Sequence, residues 1–117
     1  MKILILEDSA LRIEIFKKQL GKKHDLYIYD QVEDAKNAID HSGPFDRIYL
    51  DHDLDQMIFI DSDEDNTGYQ LAKYIADKNI DAEIILHTLN PHGADRMQAV
   101  LPNAQQIMFE DLFDLKG

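Results

Sequence analysis

The chain opens on an unbroken apolar run, Ile3-Leu4-Ile5-Leu6, cut off by Glu7 and Asp8. A short run that is apolar at every position suits a strand covered on both faces. Ser9 stands where a helix cap belongs. Ile13, Phe16 and Leu20 then follow at helical spacing, with Gly21 as a stop. Residues 26–29 read as a second strand. Ala35, Ala38 and Ile39 mark a second helix that ends near Ser42-Gly43-Pro44. Residues 47–50 carry β-branched and aromatic side chains and read as a third strand. A polar stretch over residues 51–66 follows. Within it Met57-Ile58-Phe59-Ile60 is apolar and reads as a short extra strand or a lid. Thr67 is placed to cap a helix carrying Leu71, Tyr74 and Ile75. Residues 83–86 read as a fourth strand, and Pro91 starts a helix with Ala94, Met97 and Leu101. Residues 106–109 read as a fifth strand, after which only about eight residues remain. Any last helix is therefore short.

Strands alternate with helices, and each crossover is long enough to join parallel neighbours. The expectation is a single α/β domain over residues 1–117, a doubly wound five-stranded parallel sheet with helices on both faces. In such sheets ligands gather at the carboxyl ends of the strands. Chemistry is to be sought just after each strand.

Charge narrows the function classes. Asp plus Glu outnumber Lys plus Arg by 23 to 12, a net charge of -11. That argues against duplex nucleic acid and against anionic membrane surfaces. A phosphate ligand stays open, because a bound metal reverses the local sign. No cysteine is present, so disulfide and thiolate chemistry are excluded. The first apolar run is too short for a signal peptide or a membrane span, which leads to the expectation of a cytoplasmic protein.

Three strand ends carry the candidate chemistry. Glu7 and Asp8 follow the first, Asp51, His52 and Asp53 the third, and His87, Thr88 and Asn90 the fourth. Carboxylates brought together there repel one another unless a cation sits among them. Glu7, Asp8, Asp51 and Asp53 are the expected metal set. Their hard oxygens favour Mg²⁺ or Mn²⁺, and the histidines leave room for a softer ion. The ordinary alternatives are helix caps for the acids, a core position for His87, and a turn before Pro91 for Thr88 and Asn90. Asp61, Asp63 and Asp65 alternate like the start of a calcium loop. That loop needs Gly and Glu where Asn66 and Ala72 stand, so the run reads as an exposed acidic loop.

In their order these residues resemble a receiver domain, the phospho-acceptor module of two-component signalling. Glu7-Asp8 resembles the receiver's metal-binding pair, Asp51 its phosphorylated aspartate, and Thr88 its hydroxyl switch residue. The resemblance covers nearly the whole chain and implies a receiver/flavodoxin-like fold. Two departures point away from ordinary phospho-relay. An acid, Glu110, stands near the place of the receiver's lysine, with Lys116 too far along to replace it, and the final helix is shortened. The motifs Asp51-His52-Asp53-Leu54 and His87-Thr88-Leu89-Asn90-Pro91-His92-Gly93 look like those of a cyclic-phosphate processing receiver-like group.

That resemblance implies a metal-dependent phosphoesterase acting on a cyclic phosphate or phosphate ester, such as a nucleotide or an RNA end. His87 or His52 would be general acid or base, and Asp51 a nucleophile or metal ligand. Thr88, Asn90 and the backbone at Gly93 would hold phosphate oxygens. The alternative is a receiver-derived signalling or binding module, with or without a phosphorylated Asp51.

Overall fold

Burial of the first apolar run organises the molecule. β1 (Lys2–Leu6) lies inside the sheet with a strand on either side, and its residues Ile3, Leu4, Ile5 and Leu6 are fully buried. A computed structural model of the protein describes residues 1–54 and 61–113. The 57–60 segment and Lys116 lie outside them.

In chain order come α1 (Ala10–Leu20), β2 (Asp25–Tyr29), α2 (Val32–Ser42), β3 (Arg47–Leu50), α3 (Gly68–Asp77), β4 (Glu83–Leu86), α4 (Pro91–Val100) and β5 (Gln105–Gln106). All strand pairs are parallel, in the order β2-β1-β3-β4-β5. This is the expected five-stranded doubly wound α/β architecture with a shortened end, for only a 3-10 turn, Phe109–Asp111, follows β5 among the described residues.

The pleat sorts the strand residues between two cores. Leu4, Leu6, Ile48, Leu50, Ile84 and Leu86 pack with Ala35, Leu71, Ile75 and Met97 of α2, α3 and α4. Ile3, Ile5, Tyr49 and Ile85 pack on Phe16 of α1, with Phe109 and Phe113 against them. The second core is smaller, and Phe16 is its hub. Its ring meets Tyr49, Phe109 and Phe113 edge-to-face at 5.1, 5.5 and 5.4 Å.

Two local expectations are corrected. The fifth strand is Gln105–Gln106 rather than residues 106–109. As an edge strand it has one neighbour, and after Ile107 donates to Leu86 O at 2.9 Å the chain turns to seat Phe109 on Phe16. The apolar content of that segment serves packing, not pairing. Thr67 holds the N-cap position of α3, but its hydroxyl does not cap. It donates instead to the Ser62 and Glu64 carbonyls at 3.2 and 3.1 Å, bracing the loop before the helix. Ser9 does cap α1, accepting from Arg12 N at 3.4 Å. The acidic residues Asp61, Asp63, Glu64 and Asp65 are exposed.

Candidate functional site

Strand register builds the site. Ile5, Tyr49 and Ile85 are side-by-side partners across β1, β3 and β4, and all face α1. Two residues further along the pleat the same row continues as Glu7, Asp51 and His87. The ladder holds them there. Asp51 N donates to Leu6 O at 3.1 Å, His87 N to Leu50 O at 3.0 Å and Glu7 N to Tyr29 O at 3.0 Å. One ligand atom from each of the three lies within 4.8 Å of the others.

All three side chains are buried: Glu7 is 0 %, Asp51 6 % and His87 1 % exposed. His87 rests on the aromatic core, with Phe16 at 5.5 Å and Tyr49 at 6.3 Å between ring centres. Its Nε2 is 3.5 Å from Glu7 Oε1, and Arg12 Nη1 stands 3.5 Å from the same oxygen. Glu7 Oε2 accepts from Asp8 N at 3.0 Å; Asp8 is half-buried and lies outside the converging group of Glu7, Asp51 and His87.

Burial and crowding set the charges. Asp51 is pushed up from the usual carboxylate range to about 7, first by desolvation and then by the Glu7 carboxylate. His87 is pulled down to about 4, first by desolvation, with Arg12 adding to the effect and Asp51 opposing it. A neutral imidazole and a reluctant carboxylate beside a second one make a site short of positive charge. Glu7 Oε1 and both ring nitrogens of His87 have no hydrogen-bond partner among the described residues. Buried polar atoms seldom go unpaired. Two carboxylate oxygens and an imidazole nitrogen fit a divalent cation, and the imidazole favours Mn²⁺ or a softer ion over Mg²⁺.

His52, Asp53, Asn90 and Gly93 form a second group, tied to one another by hydrogen bonds. His52 Nδ1 is 2.8 Å from Asp53 Oδ1, and its Nε2 is 2.7 Å from Ser62 Oγ. Asn90 Nδ2 donates to Asp53 Oδ1 at 3.1 Å, while Asn90 Oδ1 accepts from Gly93 N at 3.0 Å and so caps α4. These residues are buried and tie the loop after β3 to the start of α4. Asp53, drawn from sequence as a fourth metal carboxylate, meets His52 and Asn90 through its Oδ1, and the converging ligand set among the described residues is Glu7, Asp51 and His87. The Gly93 N–H, expected to face a phosphate, is taken by Asn90. Thr88 is half-buried and its Oγ1 accepts from Asn90 N at 3.1 Å. Gly68 permits the other close approach. A Cβ there would lie 2.1 Å from Asp51 O, so only glycine lets α3 start against the site loop.

Sequence reasoning missed Arg12, Ser62 and Asn66. Asn66 Oδ1 accepts from Val32 N at 2.7 Å, capping α2 from 34 positions away. No local pattern announces a polar residue whose partner is remote. Arg12 had a faint signal, since it sits in the first turn of the helix that follows Glu7 and Asp8.

Solved receiver domains share this architecture. The response regulator TrrA from Thermotoga maritima, solved in complex with Mg²⁺ and BeF, is 22% identical with a TM-score of 0.70, over 97% of this chain and 90% of that one. The signal receiver domain of an HD domain-containing protein from Pseudomonas fluorescens Pf-5 is 15% identical with a TM-score of 0.73, over 92% and 80%. The response regulatory domain of mrkE from Klebsiella pneumoniae is 20% identical with a TM-score of 0.69, over 92% and 82%. At these identities the likeness concerns the fold. None of the curated proteins matches the chain. No helix among the described residues is long and apolar enough to cross a membrane. The family model described as "Cyclic-phosphate processing Receiver domain" matches residues 2–103, which takes in the whole Glu7–Asp51–His87 row and both histidine motifs, and the chain belongs to that family.

Proposed function

We propose that this domain is a receiver-derived regulatory module that takes a phosphoryl group at Asp51 with the help of a divalent cation. The observation that carries the reading is the row of Glu7, Asp51 and His87, with ligand atoms within 4.8 Å and three buried polar atoms left without hydrogen bonds. Glu7, Asp51 and His87 would hold the cation, with Asp8 next to Glu7 as a further carboxylate. Bound there, it would neutralise charge on the phosphoryl oxygens. The cation would also return Asp51 to its ionised form, ready to act. A carboxylate oxygen of Asp51 attacks the phosphorus of a small phosphodonor. A new O–P bond forms, and the bond to the leaving group breaks with its electron pair. Water later attacks the same phosphorus, which frees phosphate and restores the carboxylate.

A second reading, a phosphoesterase opening cyclic phosphates, draws support from the family's description and from the neutral His87 beside Glu7. It ranks behind, because His87 is 1 % exposed and His52 is enclosed in its own network. Acetyl phosphate with Mg²⁺ or Mn²⁺ separates the two. An adduct of one phosphoryl group on the wild type, absent from Asp51→Asn, is the expected result. Ring opening of a 2′,3′-cyclic nucleotide by the wild type, with no adduct at Asp51, would reverse the ranking.

A further inference from the structure

Arg12 is the one positive side chain, among the described residues, that reaches the Glu7–Asp51–His87 row. It comes from the first turn of α1, and two contacts fix its guanidinium. Nη1 is 3.5 Å from Glu7 Oε1, and the guanidinium carbon lies 5.0 Å from the centre of the Phe109 ring. A cation over an aromatic face is attracted to the ring. Phe109 is itself seated on Phe16, so the platform belongs to the core.

The guanidinium is held but little used. It carries five N–H donors. Among the described residues it makes no hydrogen bond, only the 3.5 Å ion contact. Its side chain is 23 % exposed, whereas that of Glu7 is 0 % exposed. The acids therefore lie beneath, and Arg12 stands at the solvent side of the cluster. Its charge is felt at Asp51, so an anion brought to Asp51 comes under the influence of a guanidinium whose donors make no hydrogen bond among the described residues. The guanidinium fork matches two phosphoryl oxygens at once, in a way an ammonium cannot.

We infer that Arg12 is the anion-binding residue of this site, gripping the phosphoryl oxygens of the group that Asp51 receives. The inference rests on the proposed function and adds to it the residue that recognises the ligand. The competing role for Arg12 is a counter-charge for the buried Glu7. The two differ in what a lysine can replace. A counter-charge acts through its charge alone, so Arg12→Lys would keep anion binding, whereas a binding residue acts through its fork and Arg12→Lys would lose part of it.

The test uses the full chain with Mn²⁺, then inorganic phosphate at saturating Mn²⁺, both followed by calorimetry. Expected is phosphate binding weakened by roughly tenfold to a hundredfold in Arg12→Ala and Arg12→Gln, the loss of a charge-assisted pair. Mn²⁺ affinity stays equal or rises. Arg12→Lys, which keeps charge without the fork, falls in between. It also serves as the folded comparison if the shorter side chains unsettle α1. Phosphate affinity unchanged in Arg12→Gln or in Arg12→Lys overturns the inference while leaving the cation site intact. Mn²⁺ binding without phosphate binding in the wild type overturns it as well. A wild type that binds no Mn²⁺ removes the proposed function itself, and the inference with it.

Discussion

His52 and Gly93 touch so closely that no side chain fits between them. A Cβ on Gly93 would lie 2.3 Å from His52 Cγ and 2.7 Å from its Nδ1. The imidazole cannot swing away, because Asp53 and Ser62 hold both nitrogens. The glycine in the first turn of α4 is thus a packing requirement of the histidine after β3. Gly93→Ala should destabilise the fold by about 2 kcal/mol, the usual cost of overpacking a tight core position. Chemical denaturation would measure it, and a neutral result would mean that His52 is free to move.

Asn90 is the joint of that network. Its side chain caps α4 through Gly93 N and donates to Asp53. Asn90→Ala removes the cap, worth about 1 kcal/mol, and leaves buried polar groups without a donor, so a total near 2–3 kcal/mol is expected. Mn²⁺ affinity should be nearly unaltered, since Asn90 bonds to His52, Asp53 and Gly93 and the metal candidates are Glu7, Asp51 and His87. A stability loss accompanied by loss of Mn²⁺ binding would mean that the two networks act as one.

The metal reading predicts a stability change that depends on which acid is removed. Mn²⁺ at about a hundredfold above its dissociation constant adds roughly 2.7 kcal/mol to a protein that binds it only when folded. The melting temperature should therefore rise in the wild type and stay flat in Asp51→Asn. Asp8→Asn should show a reduced shift and Asp53→Asn a full one, because Asp53 is engaged by His52 and Asn90. Equal shifts in all four proteins would place the bound ion elsewhere.

Without metal, Asp51 and His87 oppose each other in their effect on stability against pH. Folding raises Asp51 from 3.8 to about 7. Between those values the folded chain holds a proton that the unfolded chain has lost, so stability falls as pH rises. Folding lowers His87 from 6.5 to about 4. There the unfolded chain holds the extra proton, so stability rises with pH. From about pH 4.5 to 6 the two slopes, each near 1.4 kcal/mol per pH unit, nearly cancel. Asp51→Asn removes one of them. In the presence of a chelator the variant should gain about 1.4 kcal/mol on the wild type for each pH unit over that range. A difference independent of pH would show that Asp51 titrates normally.

Much of this protein was legible in its residues. Short continuous apolar runs and helical spacing determine the order of strands and helices, because each element must hide its apolar side chains from water. The pleat brings Glu7, Asp51 and His87 into one row, since each lies two residues beyond Ile5, Tyr49 and Ile85. His52, one residue off that parity, turns to the other side and there meets Asn90, while Asp53 keeps the parity of Asp51 but lies past the end of β3, where His52 and Asn90 engage it. What only the folded chain decides are the remote polar pairings: Arg12 on Glu7 and Phe109, Ser62 on His52, Asn66 on the start of α2. Hydrophobic burial leaves a periodic trace because many residues share it. A hydrogen bond between two distant side chains involves only those two, and its partners become neighbours only when the whole sheet has closed around them.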